Sequence, residues 1–209
     1  MKAILIVSVF IIICNVSALD ACPKCGKTLV PYPLSTDENC GNPSYKVYCN
    51  NNILQFLSAD GFFYDILTID PDAFSLVISP PLLQKNSCYS ADLSSGGFKL
   101  DENLPFNISS RNTVMLFNCS TSILLSPLNC STNSICRDFE RSEMGSGCTD
   151  TLCCHYKKDA SMTAHRIRIR LGGCTSYTCI VDAKPGDPIE SWNYGIELQW
   201  SPPFSSRRQ

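Results

Sequence analysis

The sequence has little of what enzymes are usually built from. It has two histidines in 209 residues, so general bases are scarce. It has no G-x-S-x-G elbow, no H-E-x-x-H pair and no glycine-rich phosphate loop, which argues against a triad hydrolase, a zinc protease and a nucleotide-binding enzyme. Carboxylate pairs of the glycosidase kind are left open, because any two of 19 acidic residues could meet in space. Charge is sparse as well. Charged residues make up 17% of the chain and the net charge is −2, which gives no long-range steering toward a polyanion and no footprint for nucleic acid. Repeats and low-complexity linkers are absent. The 44% hydrophobic fraction excludes disorder, collagen and coiled coil, and the length allows one or two domains with a real core.

What the chain does have is cysteine, 14 in all. The compartment follows from the first residues. Lys2, the apolar run from Ala3 to Ile13 and the small residues Val16-Ser17-Ala18 have the layout of a signal peptide cleaved near Ala18. As a helix, eleven residues rise only about 17 Å, too short for a hydrocarbon core of about 30 Å. No second run of spanning length follows, so the mature chain is expected to be secreted, without a transmembrane span. Cleavage removes Lys2 and Cys14, leaving 16 basic against 19 acidic residues (net −3) and 13 cysteines. An odd number in an oxidising compartment leaves one thiol over or one bond to a second chain. Secretion also gives meaning to the sequons at Asn107, Asn118 and Asn129, whose glycosylation would put that stretch in solvent.

The fold class expected is mainly β: disulfide-rich antiparallel strands with little helix. Tyr45 to Cys49 alternates, with Tyr45, Val47 and Cys49 on one face, and Asn50 to Asn52 turns it back into Ile53 to Leu57 as a hairpin. Phe62 to Ile69, Phe74 to Ile78, Val114 to Cys119 and Leu152 to Tyr156 are further strands, and Ile196 to Trp200 alternates as a half-buried one. Ser131 to Arg141 is the single helix candidate. A weak boundary falls near 101–105.

Cys22-Pro-Lys-Cys25 has the spacing of a zinc half-site or a redox dithiol, but no matching second pair exists and the compartment favours structural disulfides; no metal or cofactor is expected. The adjacent Cys153 and Cys154 point to opposite sides of a strand and should take two different partners. Cys40 and Cys49 are read as a pair across a short loop. One segment carries ionic chemistry. His165 to Leu171 alternates strictly, so as a strand it would line up Arg166, Arg168 and Arg170 about 6.6 Å apart, with Lys157 and Lys158 on an adjacent strand. Arginine forks suit carboxylates, and a row of them suits a polyuronate; the competing explanation is a solvated face or an edge protected by charge.

In order along the chain, Cys22-Pro-Lys-Cys25-Gly26, Val30-Pro31-Tyr32-Pro33-Leu34, Cys40-Gly41-Asn42-Pro43 and Tyr45-Lys-Val-Tyr-Cys49 resemble the galacturonan-binding extracellular domain of plant wall-associated receptor kinases. Phe117-Asn118-Cys119, Cys130, Cys136, Cys148, Cys153-Cys154, Gly172-Gly173-Cys174 and Gly195 to Trp200 are similar to the associated cysteine-rich module. The resemblance covers about residues 22 to 203 and implies a cell-surface, cell-wall module that binds pectic polysaccharide or oligogalacturonide. It also implies two modules, 19–105 and 106–203, after a signal peptide at 1–18 and before a tail at 204–209. It divides the cysteines into a framework of twelve (Cys22, Cys25, Cys40, Cys49, Cys88, Cys119, Cys130, Cys136, Cys148, Cys153, Cys154 and Cys174) and an outlier, Cys179, expected as the odd thiol or the bridge of a dimer. The chain stops without the transmembrane helix, EGF repeat or kinase of the full receptors. It therefore reads as a truncated product, a secreted decoy or an incomplete sequence. The alternative function is a protein-interaction ectodomain using Phe62, Phe63 and Tyr64; a cysteine-rich enzyme or inhibitor is a third.

Overall fold

Short alternating segments punctuated by Asn, Gly and Pro leave little room for helix, and the chain folds as antiparallel sheets. The structure is a computed structural model whose described residues are 21–80, 87–121, 128–141, 147–169, 173–184 and 186–203. The signal segment, the tail and Arg170 lie outside them.

Strands β1 (Cys22–Cys25) and β2 (Thr28–Val30) form a small hairpin. A six-stranded sheet runs β3 (Tyr48–Asn50), β4 (Ile53–Leu57), β5 (Phe63–Asp70), β6 (Ser75–Ile78), β12 (Ile196–Trp200), β7 (Phe106–Ile108). A four-stranded sheet runs β11 (Asn193–Tyr194), β10 (Ser176–Val181), β8 (Asn112–Phe117), β9 (Cys154–Lys157). The six-stranded sheet therefore draws on both sides of the boundary expected near 101–105. α1 (Ile135–Arg141) is the single α-helix among the described residues, four residues shorter than expected because Ser131 to Ser134 form the turn that leads into it.

Local chemistry explains the hairpin of β3 and β4. Asn50 pairs with Ile53, so the loop is Asn51-Asn52, and both take positive φ (51° and 64°). That is the two-residue turn whose twist matches the strands, and Asn is among the few residues that tolerate it. Gly26 answers it from β1–β2. A Cβ there would sit 2.4 Å from the Asn52 carbonyl oxygen, so only glycine lets the two hairpins meet.

Disulfides lock this contact. Cys22 bonds Cys40 and Cys25 bonds Cys49. The expected Cys40–Cys49 pair is thus incorrect: both cysteines of β1 turn inward, and each takes a separate partner from the 40–49 segment. Cys153 and Cys154 go to Cys136 and Cys130, one partner on each side. Cys88–Cys148 and Cys119–Cys174 close the longest loops.

The core lies under the six-stranded sheet. Phe56 meets Phe106 at 5.2 Å and Tyr64 meets Phe98 at 5.1 Å, both edge to face, with Tyr45 and Trp200 against Phe106. β12 is not half-buried as its alternation predicts. It is an interior strand, and Glu197 on its polar face is only 2% exposed, reached by the side chains of Arg111 and Asn112.

Candidate functional site

With Phe56, Leu54, Tyr64 and Ile66 turned into the core, alternation sends Gln55 and Leu57 of β4 and Phe63 and Asp65 of β5 to the opposite face. The register sets Tyr48 beside Gln55 and Gln55 beside Asp65, with Leu57 beside Phe63. Lys46, just ahead of β3, Asn50, Ile53 and Leu67 complete one face of three strands. Its apolar members are open to solvent: Ile53 is 47% exposed, Phe63 48% and Leu67 51%. Tyr48 and Phe63 meet edge to face at 5.3 Å, and the Lys46 ammonium stands 5.2 Å from the centre of the Tyr48 ring. A polar ladder crosses the middle. The Asn50 amide donates to Gln55 Oε1 at 2.9 Å, and the Gln55 amide donates to Asp65 Oδ1 at 2.7 Å. Each amide keeps a second N–H for a ligand. The arrangement can stack a sugar ring, hydrogen-bond hydroxyls and hold one carboxylate.

The arginine-bearing segment is built differently. It forms no regular strand. An isolated bridge pairs Arg166 with Lys99, and Ile167 and Ile169 point into the core as the alternation requires. Arg166 folds back over the turn at Gly96 and donates to the Ser95 carbonyl at 3.4 Å, while Arg168 is exposed. Lys158 is only 6% exposed, and burial lowers its pKa, so it is no surface cation. Lys157 is exposed on β9, where its charge adds to the larger effect of the Arg111 hydrogen bond in holding Asp182 below the usual carboxylate range. The expected row of cations therefore does not converge among the described residues. Backbone pairing with 98–100 fixes the segment, and Arg166 turns part of its guanidinium to the Ser95 carbonyl while its Nε is buried without a partner.

Three further sets of residues were expected to matter. Asn107, Asn118 and Asn129 are all exposed, on β7, after β8 and before α1. Of Phe62, Phe63 and Tyr64, Phe63 faces outward, whereas Tyr64 is buried and donates to Asp92 Oδ2 at 2.9 Å. Tyr177 donates to the same oxygen from β10, and burial pushes the Asp92 carboxyl above its ordinary value. Cys179, the free cysteine among the described residues, is 0% exposed in the middle of β10, and burial raises its thiol pKa far above normal. It cannot bridge to a second chain without opening the sheet, which corrects its reading as a dimer bridge.

His155 shares a 2.6 Å hydrogen bond with Ser134, but Ser134 is buried against the Cys136 sulfur. The described residues hold no cluster of three metal-ligating side chains and no helix long and apolar enough to cross a membrane.

Residues 22–80, the part that forms β1–β6, match the family model for wall-associated receptor kinase galacturonan-binding. Wall-associated receptor kinase-like 20 of Arabidopsis thaliana is 40% identical over 188 residues, which is 87% of this chain and 29% of the relative. Wall-associated receptor kinase-like 15 of the same plant is 38% identical over 196 residues, 89% of this chain and 31% of the relative. The chain thus spans less than a third of either. No solved structure matches.

Proposed function

We propose, from the premise that residues 22–80 belong to the wall-associated receptor kinase galacturonan-binding family, that this chain is an extracellular module that binds pectic galacturonan of the plant cell wall. The single observation that carries this is the coincidence of the matched residues with a disulfide-pinned sheet whose outer face is open. Six intramolecular disulfides fit an oxidising, extracellular setting, and three exposed sequon asparagines fit glycosylation there. No catalytic step is assigned. Arg168 and Lys157 lie outside the matched residues and are secondary contacts in this reading.

Pull-down of the folded mature chain on pectic galacturonan and on an unrelated neutral wall glycan such as xylan tests this. Retention on galacturonan at either ester state, with none on xylan, is expected. Retention on neither, or on both equally, contradicts it.

A further inference from the structure

We propose that the ligand of the β3–β5 outer face is galacturonan carrying mostly methyl esters and few free carboxylates, with sugar rings stacked on Phe63 and Tyr48 and one free carboxylate at Lys46. This rests on the galacturonan reading above and narrows it.

Charge comes first. Residues 22–80 hold three basic side chains (Lys24, Lys27 and Lys46) and six acidic ones (Asp37, Glu38, Asp60, Asp65, Asp70 and Asp72), a local net charge of −3. The outer face itself holds one cation, Lys46, and one carboxylate, Asp65. A fully de-esterified galacturonan carries one negative charge per sugar. It would meet a single lysine, face Asp65 directly and be repelled by the rest of the module. Each methyl ester removes one of those charges.

Apolar surface comes second. Ile53, Phe63 and Leu67 expose about half their area each on one sheet face, where water gains nothing from them. Methyl esters and the C–H faces of sugar rings are the parts of the polymer that cover such a surface. Across three strands and four residue steps the face measures about 10 by 13 Å, room for a short run of sugars. Between the apolar patches, the free N–H groups of Asn50 and Gln55 and the open Asp65 oxygen suit hydroxyls.

Access comes third. The Tyr48–Phe63 contact and the cation over Tyr48 hold the three side chains in place before ligand arrives. A glycan at Asn107 would project from β7, at the opposite edge of the sheet from β3, about 24 Å away across five strand spacings. Asn118 and Asn129 lie outside this sheet. Glycans at the three positions would leave the face clear.

Calorimetric titration of the full chain with fully de-esterified, sparsely de-esterified and fully methyl-esterified galacturonan oligomers at physiological salt tests the proposal. The sparsely de-esterified form should bind at least ten-fold more tightly than the fully de-esterified one. Phe63→Ala and Leu67→Ser alter exposed side chains and should keep the native melting temperature while weakening binding about ten-fold and about three-fold. Lys46→Ala should weaken the sparsely de-esterified ligand and leave the fully esterified one unchanged. Equal or tighter binding of the fully de-esterified form, or unaltered binding by Phe63→Ala and Leu67→Ser, overturns the proposal while keeping the galacturonan reading. Binding to none of the three overturns both.

Discussion

Two stretches of this chain alternate in charge and hydrophobicity, and they come to opposite ends. At 165–169, Ile167 and Ile169 anchor the segment, Arg166 lies back on the protein, and Arg168 alone of the two described arginines is exposed. At 46–67, the same alternation runs through three registered strands, and its outward residues gather into one face. The difference lies in neighbours. A row of like side chains becomes a site only when adjacent strands present complementary rows at fixed register. The arginine segment has one isolated bridge, whereas β3–β5 has two full ladders.

The largest effect should come from the core beneath the face. Phe56→Ala removes a buried ring in contact with Phe98 and Phe106 and should cost about 3–5 kcal/mol, with ligand binding lost alongside stability. Chemical denaturation with parallel binding measurements checks it. A stable variant with intact binding would mean the face does not depend on that support.

Cys25→Ser combined with Cys49→Ser releases β3 from β1 and should cost about 2–5 kcal/mol. Hydrogen exchange should show protection lost first in β3 and β4 and retained at Leu100 and Ile167, the amides that pair the 98–100 and 165–169 segments. Uniform loss would erase the distinction between the two regions.

A smaller, pH-dependent effect belongs to the link between them. Asp92 joins Tyr64 of β5 to Tyr177 of β10, and burial raises its pKa. Below the ordinary Asp value of about 3.9 both folded and unfolded chains are protonated there. Above it the unfolded chain ionises first, so this group's stabilisation is lost as pH rises through the raised folded value. Asp92→Asn removes that slope. Thermal unfolding from pH 3 to 8 should therefore show wild-type stability falling relative to the variant as pH rises, and a constant difference would contradict this account of Asp92.

Much of the fold is legible in the residue order. The Asn turn announces the hairpin and the doublet at Cys153-Cys154 announces two partners, whereas the strand expected from Tyr45 begins only at Tyr48, because Pro43 to Tyr45 form a 3-10 turn. What the order does not carry is register. Lys46, Tyr48, Gln55, Leu57, Phe63 and Asp65 come from three strands, and only their pairing makes them neighbours. The burial of Lys158 and Glu197 is hidden for the same reason, since a charged residue looks solvated until residues distant in sequence pack around it. Cys179 stands apart from the framework in sequence, yet its place inside β10 shows the odd thiol as a core residue. A thiol reagent should leave it unlabelled until the chain is unfolded.

The most direct test of the central claim sets the two regions against each other on one ligand. Affinity for the same galacturonan oligomer should fall about ten-fold in Phe63→Ala and change less than two-fold in Arg168→Ala. Unchanged binding in Phe63→Ala with a large loss in Arg168→Ala would place the site on the arginine segment and contradict the account.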